Sequence, residues 1–435
     1  MTARPRARKR DGGSFLAVGR RLGARGVPVL LALGCGLAVG AAPPRVKLGI
    51  DVLQGRAFRE LRGKRVGLIA NPASVDGQGR STIDILHRAI GLEVEALFAP
   101  EHGIDGRAGA GEEVRDTRHA ATGLKVYSLY GPGPVRRPTP AMLKRMDALV
   151  YDLQDAGFRA YTYISTLGLA MESCGQAGIE FVVLDRPDPL GGLRVEGPML
   201  DLRFKSFVGQ WPVPLVYGLT PGELARMIAG EKWIAHPPKV TVVEMEGWRR
   251  EMTWQDTGLK WHPPSPGVLT PRRCFYLPAM ALLANIGGVS VGFGTATPYE
   301  CLAAPWFNAN QLCDWFRHRG IPGVSFTPVR FTPTRGAYAG HEVEGVHIRF
   351  TDPARAPLVA LNFYGLEAAR KLGRRDLYAQ AVKAGHSFGM FDKVNGTDAT
   401  RKALAAGRGA SEIIASWAAD EAAFRQKRRK YLLYP

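Results

Sequence analysis

Short apolar runs alternate with helical stretches from about residue 65 to residue 245, and this alternation constrains the fold more than any other feature. Runs of this length that are rich in Val, Ile and Leu are typical of buried strands. A parallel sheet needs a helical crossover between successive strands, and the intervening stretches supply it. We therefore predict an α/β fold built on a Rossmann-like parallel sheet. The predicted strands lie at residues 66–70, 94–99, 125–129, 148–153, 180–184 and 239–245.

The pattern changes near residue 262, where the segment 262–267 reads His-Pro-Pro-Ser-Pro-Gly. This composition is typical of a linker or an active-site loop. Beyond it, predicted strands (288–293, 324–331, 343–350) and helices (308–318, 358–372, 411–425) follow in a less regular order. A chain of 435 residues exceeds the usual size of a single core. We predict a Rossmann-like domain at residues 47–268 and a smaller mixed α+β domain at residues 270–435.

The first 42 residues have the pattern of an export signal. A basic region precedes an apolar stretch at residues 27–42 that ends in small residues. The stretch is short for a membrane span, which favours a cleaved signal peptide. Two alternatives stay open, an uncleaved N-terminal anchor and a lipoprotein attached through Cys35. Each version predicts an exported protein, periplasmic or extracellular.

Charge and cysteine spacing restrict the possible partners. The net charge is +19, of which +7 lies in residues 1–42, and the remaining excess favours anionic partners. The body of the chain has no basic run interleaved with aromatic residues, so we do not predict nucleic-acid binding. Cysteines lack metal-ligand spacing, and no Gly-x-Gly-x-x-Gly follows the first strand, so we predict neither a metal nor a dinucleotide cofactor.

Polar and ionisable residues gather directly after the predicted strands. In an open α/β sheet, ligands bind outside the carboxyl ends of the strands. One such residue alone is as often a helix cap or turn residue, but several on one rim indicate a site. The residues in these positions are Asn71, Glu101, His102, Asp155, Asp185 and Arg186.

The segment at residues 152–163 carries the highest density of such groups. Asp155 and Arg159 suit a site, and Tyr161 and Tyr163 could stack on a sugar or hydrogen-bond to it. Glycoside hydrolysis commonly uses two carboxylates, one of them protonated. Arg159 and Arg186 could receive an anionic substituent of the sugar, or could instead pair with nearby aspartates. A loop whose aromatic residues anchor the next helix is the structural alternative.

A competing motif lies at residues 288–292, which read Gly-Val-Ser-Val-Gly. This matches the nucleophile elbow of serine hydrolases, with Ser290 as the nucleophile. An elbow needs a helix directly after the serine, and the residues that follow do not predict one.

The chain resembles the bacterial exo-β-N-acetylmuramidases over about residue 47 to its end. The matching segments are GIDVL (49–53), GKRVGLIANP (63–72), FAPEHG (98–103), VYSLYG (126–131), QDAGFRAYTY (154–163), LDRP (184–187), EGP (196–198), SFVG (206–209), GELA (222–225), APW (304–306) and RRKYLLY (428–434). The resemblance implies a Rossmann-like domain that binds no nucleotide and a C-terminal domain that closes a cleft over it. It also implies release of terminal N-acetylmuramic acid from the non-reducing end of peptidoglycan fragments.

The resemblance and the strand-end positions together suggest roles for single residues. Glu101 is the predicted acid/base, assisted by His102, and Asp155 is the candidate second carboxylate, which the N-acetyl group of the substrate could replace. The predicted substrate-binding residues are Asn71, Arg159, Tyr161, Tyr163, Asp185, Arg186 and Glu196. A non-catalytic glycan-binding protein using the same cleft and a serine esterase are the alternatives. Asp188 and Tyr217 depart from the family pattern, which usually has Asn and His there.

Overall fold

The computed structural model describes residues 45–133 and 136–435, and a seven-stranded sheet lies at its centre. Each predicted strand between residues 65 and 245 is confirmed within a few residues. The strands are β1 (Arg65–Ile69), β2 (Glu93–Ala99), β3 (Thr117–Arg118), β4 (Lys125–Ser128), β5 (Ala148–Tyr151), β6 (Glu180–Leu184) and β7 (Val240–Val243).

The strand order is β3-β4-β2-β1-β5-β6-β7, and all neighbours pair in parallel except β3 with β4. The chain builds outward from β1 through β2 and β4, then crosses to the other side with β5. This reversal places a topological switch point beside β1, where open α/β sheets bind their ligands. The predicted α/β fold with a parallel sheet is confirmed.

Five helices cover the two faces of this sheet. Side chains alternate along each strand, so Val66 and Leu68 pack on one face while Ile69 packs on the other. Helices α1 and α2 share a hydrophobic cluster with Val66 and Leu68, and helices α4 and α5 share another cluster with Ile69. The helices are α1 (Gly49–Gly55), α2 (Thr82–His87), α3 (Pro140–Leu143), α4 (Tyr163–Ala177) and α5 (Pro221–Gly230).

The rest of the chain is mixed α+β, as predicted. Its antiparallel sheet has the order β8-β10-β9. The strands are β8 (Cys301–Ala304), β9 (Val324–Phe331) and β10 (Val343–Phe350). The helices are α6 (Arg273–Ile286), α7 (Ala309–His318), α8 (Ala360–Lys371), α9 (Leu377–Lys383), α10 (Gly389–Asn395), α11 (Ala399–Ala405), α12 (Ala410–Ala415) and α13 (Ala418–Arg428).

One hydrophobic cluster runs from the α4 face of the large sheet into the C-terminal region. Tyr434, the penultimate residue, also reaches back to the large sheet, where its hydroxyl donates to Asp185 Oδ2 at 2.6 Å. Residues 45 to 435 thus pack as one compact unit. The division near residue 269 stays a prediction.

Three sequence predictions in the C-terminal region were wrong. Helix α6 was missed because Pro278, which lacks an amide hydrogen, lies inside it. The predicted strand at 288–293 is a loop with one isolated bridge at Ser290. The helix predicted at 411–425 is two helices, α12 and α13, because the chain turns at Ser416–Trp417.

The predicted signal peptide, the Cys35 lipidation site and the possible anchor lie outside the described residues. Within the described ranges, no helix combines the length and the apolar character needed to cross a membrane. The cysteines there, Cys174, Cys274, Cys301 and Cys313, are buried free thiols.

Candidate active site

Glu101 and His102 begin the loop that follows β2, and both side chains are nearly buried. His102 has φ +73°, a left-handed conformation that is costly for a residue with a Cβ, and Gly103 continues it at φ +82°. The His102 Nδ1 donates to the Ala108 carbonyl at 2.8 Å, so Nε2 is the ring nitrogen that can act at the site. The sharp turn and this hydrogen bond fix the pair at the rim of the sheet.

The Glu101 carboxylate is held by two donors from different parts of the chain. Thr162, the residue before α4, donates its hydroxyl to Glu101 Oε2 at 2.5 Å. The amide of Gly111, in the same loop as Glu101, donates to Oε1 at 2.9 Å. Tyr130 lies beside them at the end of β4, and its pKa is raised by burial and then by the Glu101 carboxylate. The carboxylate is therefore oriented by hydrogen bonds in a residue that is 7% exposed, and it has no cationic partner among the described residues.

Asn71 and Tyr163 form the support beneath Glu101. The Tyr163 hydroxyl donates to the Pro264 carbonyl at 2.7 Å and lies 3.4 Å from the Glu101 carbonyl oxygen. Asn71 Nδ2 donates to Tyr163 Oη at 3.1 Å and to the same Pro264 carbonyl at 3.0 Å. Tyr161 packs edge-on against Tyr163, with ring centroids 4.7 Å apart. The proline-rich segment at 262–267 thus reaches the predicted rim, and these residues position Glu101 more than they face solvent.

Arg186 is committed to a buried ion pair. Its Nε and Nη2 donate to the two oxygens of Asp152 at 2.6 and 2.9 Å, and Nη2 also donates to the Val75 carbonyl at 2.8 Å. The side chains are 2% and 0% exposed, which places the pair in the interior between β1, β5 and β6. This bidentate geometry favours a structural role over the predicted binding of substrate.

Arg159 is also buried, and backbone carbonyls surround its guanidinium. Nη1 donates to Pro198 and Val213, at 2.8 and 2.7 Å, and Nη2 donates to Val394 and Asn395, at 3.1 and 2.6 Å. These carbonyls come from segments far apart in the sequence. Arg159 therefore ties the C-terminal helices to the α4 side of the sheet, and its contacts leave little for a ligand.

Asp155 lies in a buried acidic cluster with Asp188 and Tyr217. Its Oδ2 accepts from the Gly157 amide at 2.9 Å and from the Tyr217 hydroxyl. Burial raises the pKa of Asp155 to about 6 and that of Asp188 to about 8. Each carboxyl has one oxygen without a hydrogen-bond partner in the described part of the chain. These buried contacts favour a structural role for Asp155.

Asp185 and Glu196 likewise join distant segments. Asp185 accepts from the Gly222 amide at 2.8 Å and from the Thr220 hydroxyl at 2.7 Å, in addition to Tyr434. Burial raises its pKa to about 7. Glu196 accepts from the Val359 amide at 3.0 Å and pairs with Arg194.

The structure thus divides the predicted site residues into two sets. Around Glu101 it brings together His102, Asn71, Tyr161 and Tyr163. In separate contacts it holds the buried residues Asp155, Arg159, Asp185 and Arg186 and the partly buried Glu196. Sequence reasoning missed Thr162 and Tyr130, although Tyr130 also directly follows a strand and the strand-end rule could have found it.

A cavity of 590 Å³ adjoins the rim at Asn71 and Gly103. It extends below the loop after β2 towards Arg115, Arg118 and His119. Its volume is in the range of small-ligand sites. Neither Glu101 nor His102 lines this cavity, so it lies beside the rim and not over the Glu101 carboxylate.

The serine-hydrolase hypothesis is not supported by the local fold. Ser290 is 2% exposed, its backbone pairs with Ala303, and its hydroxyl accepts from the Gly292 amide at 3.3 Å. A loop, not a helix, follows it up to β8. The strand–turn–helix geometry that exposes a nucleophilic serine is therefore missing at this position.

Sequence profiles of one family match both parts of the chain. The profile described as Exo-beta-N-acetylmuramidase NamZ, N-terminal, matches residues 66–272, and the corresponding C-terminal profile matches residues 275–434. Among curated proteins, the peptidoglycan β-N-acetylmuramidase NamZ of Bacillus subtilis strain 168 is 40% identical over 394 residues, which cover 91% of this chain and 92% of that protein.

Two crystal structures of DUF1343 family proteins from Bacteroides fragilis have the same fold. The first has a TM-score of 0.83 at 40% identity, and the second a TM-score of 0.71 at 28% identity. Each comparison covers 90% of this chain and 99% of the other. The likeness therefore extends over both sheets.

Proposed function

The chain belongs to the NamZ family of exo-β-N-acetylmuramidases, and we propose that it is a glycoside hydrolase that releases terminal N-acetylmuramic acid from the non-reducing end of peptidoglycan fragments. Its 40% identity to a peptidoglycan β-N-acetylmuramidase, over nearly the full length of both proteins, supports this activity. The observation that carries the proposal is the oriented carboxylate of Glu101 at the rim of the sheet.

Glu101 is the proposed acid/base. In its protonated form it gives its proton to the glycosidic oxygen as the bond to the anomeric carbon breaks, and its carboxylate then removes a proton from the attacking water. Thr162 and Gly111 orient the two oxygens for these transfers. His102 assists through Nε2, because Nδ1 is used by the Ala108 carbonyl.

The second group is the nucleophile that attacks the anomeric carbon. Asp155 was the sequence candidate, but it is buried, and its Oδ2 accepts from the Gly157 amide and the Tyr217 hydroxyl. The buried contacts of Asp155 favour the other candidate, the N-acetyl oxygen of the substrate. Attack by that oxygen expels the leaving group, and water then opens the cyclic intermediate.

We further propose that the protein is exported and acts in cell-wall recycling, in the periplasm or outside the cell. The pattern of residues 1–42 supports export by a signal peptide, with an anchor or a lipid on Cys35 as alternatives. The proposed partner is a peptidoglycan-derived glycan or muropeptide, and nucleic acid is not a proposed partner.

Hydrolysis of a chromogenic β-N-acetylmuramide by the purified protein tests the activity and the role of Glu101 together. We expect release by the wild type and a loss of roughly 10²–10⁴-fold in Glu101→Gln, the usual contribution of a general acid/base. Glu95→Gln is the matched control, because Glu95 lies on the same strand and pairs with Arg145 at 3.3 Å. It should keep full activity.

Two outcomes would contradict the proposal. No release by the wild type, together with binding of the glycan, would favour the non-catalytic binding protein. Full release by Glu101→Gln would assign the acid/base role to another residue.

A further inference from the structure

A cation lies next to the site without an acidic partner among the residues that the structure describes. The guanidinium of Arg136 stacks on the ring of Tyr130, 4.0 Å from its centroid. The other neighbour of this ring is Phe207, with centroids 5.5 Å apart. We refer to Tyr130, Arg136 and Phe207 as the Tyr130 platform.

The Tyr130 platform belongs to the immediate surroundings of Glu101. Strand β4 pairs with β2, and the Leu129 amide donates to the Ala99 carbonyl at 2.8 Å, so Tyr130 and Glu101 follow adjacent strand ends. The Glu101 carboxylate accordingly contributes, after burial, to the raised pKa of Tyr130. Phe207 is tied to α4, since its carbonyl accepts from the Ser165 hydroxyl at 2.7 Å, one turn after Thr162. Aromatic rings and a cation therefore lie beside the acid/base.

Arg136 keeps most of its hydrogen-bonding capacity. Among the residues that the structure describes, it makes one hydrogen bond, from Nη1 to the Gly131 carbonyl, and no ion pair. An arginine has five donors, so Nε and Nη2 remain available. The sequence suggested Arg159 and Arg186 for binding an anion. Arg159 instead donates to backbone carbonyls, and Arg186 donates to Asp152.

We propose that Arg136 binds the lactyl carboxylate of the terminal N-acetylmuramic acid, while Tyr130 and Phe207 pack against the sugar ring. This inference rests on the proposed function. The lactyl ether is on the third ring carbon, two carbons from the anomeric centre, so its carboxylate lies a side chain's length from the bond that Glu101 protonates. The planar fork of an arginine matches a carboxylate, and a sugar without this group leaves the cation unpaired.

The consequence is selectivity for the acidic sugar. N-acetylglucosamine has the same ring and N-acetyl group but a hydroxyl in place of the lactyl ether. When N-acetylglucosamine binds, Arg136 loses water but gains no carboxylate in its place. The charge-assisted hydrogen bonds that N-acetylmuramic acid provides are then missing.

Kinetics with an acidic and a neutral substrate test this role. The two substrates are a chromogenic β-N-acetylmuramide and the same compound with its lactyl group converted to a methylamide. In Arg136→Gln we expect KM for the acid to rise on the order of 10- to 100-fold with kcat within a few-fold, because a hydrogen bond to a charged group is lost. KM for the methylamide should stay near that of the wild type. For Arg136→Lys, KM for the acid should lie between the values of the wild type and of Arg136→Gln.

Arg145→Gln is the matched control, since Arg145 is exposed and pairs with Glu95 far from Glu101 along β2. It should leave both KM values unchanged. An equal rise for acid and amide in Arg136→Gln would indicate a merely structural residue, and unchanged KM for the acid would exclude the contact.

Equilibrium binding separates a failure of this inference from a failure of the proposed function. Calorimetry with N-acetylmuramic acid and N-acetylglucosamine needs no turnover and can use the Glu101→Gln protein. If the wild type releases no sugar but binds the acid through Arg136, the hydrolase proposal fails and the carboxylate contact stands. If it hydrolyses the substrate and Arg136→Gln binds the acid as well as the parent, only the contact is wrong.

Discussion

The ends of β2 and β6 carry the same kind of sequence, a carboxylate followed by a basic residue, but the structure uses them differently. Glu101–His102 follows β2 at a rim, where a hydroxyl and an amide orient the carboxylate. Asp185–Arg186 follows β6 at 0% and 1% exposure, with Arg186 paired to Asp152. The same local pattern therefore provides a reactive group in one place and a structural anchor in the other.

The difference comes from what covers each strand end. A loop at residues 100–116 follows β2 and leaves Glu101 at 7% exposure. Behind β6, Thr220, Gly222 and Tyr434 close over Asp185. A residue at a strand end thus becomes functional or structural according to segments far away in the sequence.

Arg186→Met should produce the largest effect on the structural side. It leaves Asp152 buried without its cation, and breaking a buried ion pair costs about 3–5 kcal/mol in the free energy of unfolding. Chemical denaturation measures this loss. Arg65→Met is the control, because the Arg65–Asp147 pair is exposed to solvent and should contribute little to stability. A small loss in Arg186→Met would mean that this strand end is as open as that of β2.

Much of the large sheet could be predicted from the sequence, because its strands are short apolar runs. Such runs are typical of strands buried on both faces, and they can be recognised without knowing which segments pack against them. The loop at 262–267 and the Glu101 rim could also be predicted. The contacts of Arg159 could not, since its carbonyl partners include Pro198 and Asn395, 39 and 236 residues away. No local pattern separates such an anchor from a substrate-binding arginine.

Asp188→Asn should stabilise the protein in a manner that depends on pH. Burial raises the pKa of Asp188 to about 8, against 3.8 for an ordinary aspartate, with Asp155 raising it further and Arg250 and Arg428 opposing. Between about pH 4 and pH 8 the folded protein keeps the proton on Asp188, whereas the unfolded chain has lost it. The free energy of unfolding therefore falls as the pH rises across this range. The asparagine cannot ionise. Its gain should be near zero at pH 4 and on the order of 5 kcal/mol at pH 8, since the pKa is raised from 3.8 to about 8.

Denaturation at several pH values measures this gain. Asp147→Asn is the control, because Arg65 holds the pKa of Asp147 at about 2 and its loss should give no gain at high pH. A gain of equal size at every pH would show that Asp188 carries no proton in the folded state.

Thr162→Val tests the open side of the comparison. It removes the hydroxyl that donates to Glu101 Oε2 and keeps the shape of the side chain. A hydrogen bond to a charged group contributes about 1.5–3 kcal/mol, so kcat/KM should fall by about tenfold or more. Thr166→Val, one turn later on α4 and buried without a hydroxyl partner in the described region, should leave the rate unchanged. Equal rates in both variants would mean that Glu101 needs no orientation by α4.

Asp155→Asn should have the smallest effect on activity, and it decides whether Asp155 belongs with Glu101 or with the buried anchors. The side-chain oxygen of asparagine can still accept from Gly157 and Tyr217, and its amide group takes the place of the oxygen that has no hydrogen-bond partner. We therefore expect kcat/KM within about threefold of the wild type, a change well below 1 kcal/mol. If Asp155 were the second catalytic carboxylate, the loss would be on the order of 100-fold or more at unchanged stability, since an amide cannot act as nucleophile or base. The assay with the chromogenic N-acetylmuramide separates the two results, and a small effect would leave the N-acetyl group of the substrate as the partner of Glu101.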